Sequence, residues 1–143
     1  REKEIRPRSV STVSPGVKKE IKPYLRDQYT NADGIMFCQI CQNAVPFSLA
    51  NGEPYFETVQ FIPRTAKVHF QNYLALCPNH AAMVQLANES KDAIAEQFTI
   101  LDADRLPIVL AGESFDVYFT ETHRKDLQAV LKAVDKSENT LDR

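Results

Sequence analysis

Four side chains able to bind a metal ion occur in this sequence as two pairs with the same spacing. Two residues separate Cys38 from Cys41, and two separate Cys77 from His80. The pairs flank a 35-residue insert (42–76). Thiolates and imidazoles are ligands that Zn²⁺ prefers, and two such pairs facing each other complete a tetrahedral shell. The pattern predicts a Cys3His zinc site, and because four ligands close the shell, the zinc is expected to be structural.

Two other interpretations of these residues stay open from the sequence. The cysteines could be buried thiols beside an unrelated histidine, or two of them could form a disulfide. A disulfide would leave one of the three cysteines unpaired, and no signal-peptide pattern is visible. The zinc interpretation, in contrast, uses every cysteine of the chain.

The composition fits one domain. Of the 143 residues, 43% are hydrophobic and 9% are aromatic, so one modest and mainly aliphatic core is expected. A structural zinc, which can contribute about 10–16 kcal/mol to folding, would supplement that core. No apolar run approaches the ~20 residues that span a bilayer. We therefore expect a cytoplasmic protein that does not contact membranes, and Arg1 in place of a starting Met predicts a fragment of a longer protein.

Charge is distributed unevenly along the chain. Residues 1–26 contain eight Lys or Arg and three Glu, a net charge of +5, whereas the whole chain carries −2. The remainder therefore carries −7. A basic segment can contact nucleic-acid phosphates, but it is also typical of a solvated linker followed by a charged helix face. We predict a flexible basic arm or linker (1–14), a single zinc-binding domain (15–135) and a polar tail (136–143).

Secondary-structure signals in the first half predict a helix followed by a hairpin. The helix should begin at Ser14-Pro15 and be kinked or split at Pro23. Its apolar residues recur every four positions, which predicts one buried stripe. Strands over 44–47 and 55–62 should then pair across Asn51-Gly52, a strong turn signal.

The second half predicts helices near 80–87 and 93–98, followed by a hairpin of strands 106–110 and 115–119. A final helix should be capped by Thr120 or Thr122. Its apolar face should comprise Leu127, Val130, Leu131 and Val134. The expected class is therefore α+β, with a metal-tied hairpin and helix, an N-terminal helix, and a C-terminal β-hairpin plus helix.

The segment from Cys38 to about Ala87 resembles the HNH endonuclease family in its zinc-containing form. The residues that match are Cys38-Gln-Ile-Cys41, Tyr55-Phe-Glu-Thr-Val-Gln-Phe-Ile-Pro63, Asn72 and Leu76-Cys-Pro-Asn-His-Ala81, and the segment that contains them covers about a third of the chain. This resemblance implies a ββα-metal fold, also described as a treble clef, in which zinc joins a hairpin to a helix.

The resemblance does not extend to the catalytic chemistry. In that family a strand supplies a metal-binding Asp or His followed by a His general base, and this chain has Val59 and Gln60 there. Valine has no metal-binding atom, and a glutamine amide cannot take a proton from water near neutral pH. Ala81 stands at the next metal-ligand position, so only Asn72 remains of the catalytic set. We predict a degenerate HNH unit without nuclease activity.

A substitute catalytic site would need other side chains. His69 lies near Asn72 in the sequence, and Glu57 points to the same face of its strand as Val59. If the domain were an active nuclease, Glu57, His69 and Asn72 would form its site. The alternative is that His69 is an exposed loop histidine, and His123 is likewise expected at the surface.

Three strings, Tyr24–Gly34, Asn72–Met83 and Val117–His123, resemble parts of a C-terminal module of large bacterial proteins. Some of those proteins carry a sacsin-like or histidine-kinase-like ATPase region upstream. This resemblance implies that other domains of a parent protein are partners of the present one.

Three functions are compatible with these interpretations. The leading hypothesis is a non-catalytic, zinc-stabilised module of a larger intracellular protein that binds nucleic acid, with amides reading base edges and cations holding phosphates. The second is a protein-interaction or scaffolding domain, which the acidic body favours. The third is an HNH-type, metal-dependent DNA endonuclease. The residues expected to contact nucleic acid are Arg6, Arg8, Lys18, Lys19, Lys22, Arg26, Gln60, Arg64, Lys67, His69 and Asn72.

Overall fold

A computed structural model describes the backbone of residues 15–63 and 69–141, and the side chains of 20–63 and 69–133. The predicted arm (1–14) lies outside the described residues. The architecture is α+β, as predicted, with two small antiparallel sheets. Within the described residues, no helix combines the length and apolarity that a membrane crossing requires. The elements are α1 (Pro15–Gln28), β1 (Glu57–Gln60), a 3-10 turn (Phe70–Asn72), β2 (Tyr73–Leu76), α2 (Pro78–Ala87), α3 (Ile94–Thr99), β3 (Arg105–Leu110), β4 (Glu113–Tyr118) and α4 (Glu121–Leu141).

The described part of the apolar stripe predicted for helix α1 is buried, and the side chain of Val17, the first member of that stripe, lies outside the described side chains. Ile21, Leu25 and Tyr29 are all buried, as expected for side chains that recur every four residues on one helix face. Pro23 does not divide the helix, which continues to Gln28. Pro23 is exposed, so water can satisfy the carbonyl that loses its hydrogen bond there.

The first hairpin differs from its prediction in the strand that pairs with β1. Strand β1 pairs with β2, from Glu57 opposite Leu76 to Gln60 opposite Tyr73, and residues 44–47 form no strand. The Asn51-Gly52 turn does form, since the Leu49 N–H donates to the Glu53 carbonyl at 2.7 Å. Pro46 and Pro54 have no N–H group to donate to a strand ladder. The pairing beside the Asn51-Gly52 turn is therefore short, with a single bridge between Ser48 and Pro54.

The second hairpin matches the prediction closely. Strands β3 and β4 pair over six residues each, and only Ala111 and Gly112 connect them. Both connecting residues have positive φ, 50° and 79° respectively, as a type I′ turn requires. Strand β3 alternates exposed and buried residues, so one face of the hairpin packs on the core.

Helix α4 starts at the predicted cap and ends later than expected. The Thr120 hydroxyl accepts a hydrogen bond from the His123 N–H at 3.1 Å, which makes Thr120 the N-cap. Leu127 is buried, and Val130 and Leu131 are half-buried against the core. The side chain of Val134, also predicted on this face, lies outside the described side chains. The helix continues to Leu141 and so includes most of the segment predicted as a polar tail.

The core is divided into two apolar clusters. The larger one joins both hairpins to α2, α3 and α4, and Cys38 belongs to it. The smaller one places α1 against Met36, Phe56 and Ala75. The metal-ligand residues therefore border the main core, where loss of their geometry would disturb packing directly.

Candidate metal centre

The four predicted ligands lie together. One ligand atom from each of Cys38, Cys41, Cys77 and His80 lies within 4.8 Å of every other. Cys38 is buried, and the other three are half-buried. The Nδ1 atom of His80 is 3.2 Å from the Cys77 Sγ, so Nδ1 is the ring nitrogen that faces the cluster. Among the described residues, no other group of three or more His, Cys, Asp or Glu is placed to hold an ion.

Local backbone geometry positions each pair. In the first, the Gln42 N–H donates to the Cys38 carbonyl at 2.9 Å, and Gln42 adopts a φ of 60°. This closes a tight turn that brings Cys41 back toward Cys38. In the second, Cys77 occupies the N-cap position of α2, with Pro78 at the start of the helix. One helical turn then places the His80 ring beside the Cys77 sulfur.

The protonation state of the ligands depends on burial. Burial raises the pKa of the Cys38 thiol to about 12, while the backbone N–H groups of Cys77, Cys41 and Ile40 act in the opposite direction. The Ile40 N–H lies 3.4 Å from the Cys38 sulfur. Burial lowers the pKa of His80, which favours the neutral imidazole that metals bind. N–H groups aimed at a sulfur would stabilise the thiolate that a divalent cation induces.

The donor set fits zinc, although it does not identify the ion. Three sulfurs and one imidazole nitrogen would supply a bound ion with four soft or borderline ligands and leave no open position in a tetrahedral shell. When bound, the ion would link the 38–41 turn to the start of α2. These four residues would hold a structural ion rather than one that activates water.

Gln39, between the first two ligands, is a residue whose role sequence reasoning missed. Its side chain is fully buried. The amide oxygen accepts from the Ala75 N–H at 2.8 Å, and the amide nitrogen donates to the Tyr118 carbonyl at 2.8 Å. Its backbone N–H donates to the Ala75 carbonyl, and its carbonyl accepts from the Tyr118 N–H. Gln39 therefore connects β2 to β4 beside the metal ligands.

The three positions that the resemblance aligns with HNH catalytic residues lie partly in the core and partly at the surface. Val59 and Ala81 are buried, at 4% and 2% exposure, and belong to the main core cluster. Gln60 is exposed at the end of β1. Two of these three positions thus carry buried apolar side chains that offer no ligand atom.

The residues proposed for a substitute catalytic site have local roles. Glu57 accepts a hydrogen bond from the Tyr55 hydroxyl at 2.6 Å. Asn72 is 1% exposed, and its amide both accepts from the Ile62 N–H and donates to the Ile62 carbonyl. His69 is half-buried rather than exposed. The burial of Asn72 counts against a contact with nucleic acid or substrate, because its amide holds the chain that follows β1.

Few of the residues expected to bind nucleic acid can be placed. Lys22 and Gln60 are exposed, and the Lys22 ammonium lies 5.8 Å from the centre of the Phe56 ring. Arg26 is 3.8 Å from the Glu53 carboxylate, so part of its charge is already matched. Outside the described side chains lie Arg6, Arg8, Lys18, Lys19, Arg64 and Lys67.

The prediction that His123 is a surface residue is wrong. Its side chain is fully buried beneath α1. Nδ1 lies 2.6 Å from the Tyr29 hydroxyl and Nε2 lies 2.8 Å from the Gln71 carbonyl. Since a carbonyl only accepts, the proton sits on Nε2, and Nδ1 accepts from Tyr29. Burial lowers the pKa of His123 to about 4, so the ring is neutral at physiological pH.

No protein-family model matches this chain, and no curated protein matches it either. The resemblance to the HNH family therefore rests on the ligand pairs, Asn72 and the hairpin-then-helix order of β1, β2 and α2.

Proposed function

We propose that this chain is a non-catalytic, zinc-stabilised binding module of treble-clef type, derived from an HNH-like unit and part of a larger intracellular protein. The observation that carries the proposal is the pairing of a closed Cys3His set with buried apolar side chains at the former catalytic positions. The first feature supports a folding role for the metal. The second removes the ligands that a hydrolytic metal would need.

Nucleic acid is the ligand that we propose for this module. Support comes from the net charge of +5 over residues 1–26 and from the exposed side chains of Lys22 and Gln60. Cations on a helix hold phosphates, and such contacts weaken as salt rises because bound counterions are released. Asn72, which was predicted to contact nucleic acid, instead uses its amide to hydrogen-bond the Ile62 backbone.

Fluorescence anisotropy with labelled single-stranded and duplex DNA, at about 50 and 200 mM salt, tests this ligand. We expect binding that weakens at the higher salt concentration, and further weakening in Lys22→Glu. Lys132→Glu is the matched control, since Lys132 is exposed on α4 and the charge change is the same. Absence of binding even at the lower salt concentration would exclude nucleic acid as the ligand.

A protein-interaction function is the second candidate, and one observation favours it. Five acidic side chains and one lysine are exposed between residues 89 and 104, and one of the acids, Asp102, lines an apolar groove between α3 and β3. Such a surface repels nucleic acid and suits a basic protein segment. Co-purification of the module with other domains of a parent protein would support this candidate.

Nuclease activity is the function that the site supports least. A plasmid-cleavage assay with Mg²⁺ or Mn²⁺ should give no product, because Val59 and Ala81 offer no ligand atoms. Metal-dependent cleavage that is lost in His69→Ala would overturn the non-catalytic assignment.

A further inference from the structure

A pocket of about 300 Å³ lies between β1 and the end of α2. Its volume is at the lower limit of ligand pockets, which range over about 300–1,000 Å³, so a small ligand suits it. No residue of β2, which is described in full, lines the pocket, so it lies on the side of β1 that faces away from the partner strand. Its apolar wall consists of Val59, Phe61, Pro63 and Val84.

The outer edge of β1 offers one pair of backbone groups beside this pocket. The Phe61 N–H donates toward β2, to the Asn72 carbonyl at 3.0 Å, and backbone groups alternate in direction along a strand, so those of Gln60 point outward. Within the described residues, the N–H and carbonyl of Gln60 have no hydrogen-bond partner. Ile62, the next residue along, exchanges two hydrogen bonds with the Asn72 amide. The edge therefore presents one donor and one acceptor here and cannot extend further as a site for an added strand.

Two side-chain amides line the pocket from α2. Gln85 is exposed on the helix, and Asn88 is half-buried at its C-cap. The Asn88 amide oxygen accepts from the Ser90 N–H at 2.8 Å, so its NH₂ group is the part that remains to donate to a ligand. The Gln85 amide has no hydrogen-bond partner among the described residues. Side-chain amides of this kind hydrogen-bond the edges of nucleobases.

The pocket is lined by one cation and by no residue that would bind a metal. Lys91 is exposed and has no ion-pair partner within the described part of the chain. The described lining contains no Cys, His, Asp or Glu. Glu89 and Asp92, which flank this segment in sequence, do not line the pocket, and the Glu89 carboxylate accepts from the Gly112 N–H at 2.6 Å. An ammonium group without a matching carboxylate favours an anionic ligand such as a phosphate.

We propose that this pocket holds one unpaired base of a single-stranded nucleic acid. The base edge would lie against the Gln60 backbone and the amides of Gln85 and Asn88, and its phosphate would lie beside Lys91. A base edge carries donors and acceptors side by side, which complements these groups. In a duplex this edge is paired and the ring is stacked, so a splayed single strand is the form that fits. The inference rests on the nucleic-acid function proposed above and adds the form of the ligand and the place where a base is read.

The test uses the zinc-loaded protein labelled with ¹⁵N, a short fluorescein-labelled DNA strand, the same strand in a duplex, and nucleoside 5′-monophosphates. We expect the single strand to bind more tightly than the duplex, with amide shifts centred on Gln60, Gln85 and Asn88. A monophosphate should shift the same amides but bind more weakly, since it lacks the neighbouring phosphates. A monophosphate that binds more tightly than the strand would show that a free nucleotide is the ligand, and would overturn the proposal.

Amide variants test how the base is held. Gln85→Ala should weaken binding of the single strand about tenfold, as expected for loss of an amide contact to a base. Gln97→Ala, at an exposed position of α3 outside the pocket, should leave the affinity unchanged. Gln60→Pro and Gln60→Ala both remove the side chain, but only the proline removes the outward N–H, which takes no part in the ladder. The proline variant should therefore bind more weakly than the alanine variant, and Gln85→Ala carries the test if the proline variant does not fold.

The lysine is tested by charge reversal. Lys91→Glu should weaken binding and lower the salt dependence by about one phosphate contact. Lys132→Glu, which is exposed on α4 and does not line the pocket, is the matched control and should do neither.

The outcomes separate this pocket from the function on which it rests. Binding with shifts centred elsewhere, or equal effects of Gln85→Ala and Gln97→Ala, would overturn the pocket and leave nucleic-acid binding intact. No binding of either form of DNA would overturn both. Shifts at the pocket with a short peptide of alternating threonine and valine, which can add as a strand, and none with DNA would show that the partner class is wrong.

Discussion

The four ligands are predictable from the sequence because metal chemistry restricts both residue type and spacing. The roles of Gln39 and His123 are not. Metal binding does not restrict the two residues between a pair of ligands, so the sequence does not distinguish Gln39 from a solvent-exposed turn residue. Its role depends on the positions of β2 and β4, which lie on either side of it. A histidine in the first turn of a helix is usually exposed, whereas Tyr24, Tyr29, Phe119 and the Gln71 carbonyl enclose the His123 ring.

Replacing Gln39 tests its connecting role. In Gln39→Ala, the Ala75 N–H and the Tyr118 carbonyl lose their partners inside the protein, and each unsatisfied group costs about 1–3 kcal/mol. We expect the free energy of unfolding, measured by urea denaturation at saturating zinc, to fall by about 2–6 kcal/mol. Gln97→Ala, at an exposed position of α3, should change it by less than about 0.5 kcal/mol. Equal effects of the two substitutions would contradict the role assigned to Gln39.

The buried imidazole of His123 makes stability depend on pH. Its pKa is about 4 in the fold, against about 6.5 when unfolded, so the unfolded chain binds a proton first on acidification. The contribution of the neutral His123 ring to the free energy of unfolding is at most about 3 kcal/mol. It is fully present above pH ~6.5 and is lost as the pH falls toward 4. Tyr24, Tyr29 and Asp126 also face this region.

The comparison with His123→Gln isolates this contribution. Acid also protonates the metal ligands, but that effect is common to both proteins and cancels in their difference. Denaturation curves between pH 4 and about 6.5 should show a smaller loss of stability in the variant. A variant that loses stability as steeply as the parent would exclude His123 as the source.

At the scale of elements, the distance in sequence between two paired segments determined which strand predictions were confirmed. The β3–β4 hairpin is local, with two connecting residues, and the two apolar-rich runs around Gly112 were sufficient to predict it. The pairing of β1 with β2 joins residues on opposite sides of the 61–72 connection. Local sequence patterns do not encode a partner at this distance, and they favour pairing with the nearer segment 44–47.

The β3–β4 turn offers a stabilising substitution. Ala111 has a φ of 50°, a conformation that costs an alanine about 1–2 kcal/mol and that Asn tolerates better. Ala111→Asn creates the preferred Asn-Gly sequence and should raise Tm by about 2–4 °C. Ala103→Asn is the control, because Ala103 is exposed and does not have positive φ. Differential scanning calorimetry that shows no gain for Ala111→Asn over this control would refute the argument.

At the scale of the molecule, the metal should decide whether the domain is folded. Structural zinc can contribute about 10–16 kcal/mol, as much as the whole stability of a typical domain, about 5–15 kcal/mol. Chelation with excess EDTA should therefore abolish the cooperative thermal transition, and added Zn²⁺ should restore it. Cys77→Ser should behave like the chelated protein. A chelated protein that keeps the same Tm would show that the cluster is not structural.

The charge asymmetry of the whole chain was visible in the sequence, but its geometry was not. Five of the acidic side chains are exposed between residues 89 and 104, and Asp102 among them lines the groove between α3 and β3. Composition alone could not show this, since it depends on how α3 and β3 pack together.

The position of Gln39 between two ligands also gives the protein a built-in reporter. Its carbonyl holds the Tyr118 amide at 2.8 Å, on a strand that contributes none of the ion's ligands. Deuterium uptake at that amide should therefore slow when the ion is loaded and quicken when it leaves. Exchange of one backbone proton on β4 would then report whether the metal site is occupied, without any dye or chelator at the cluster itself.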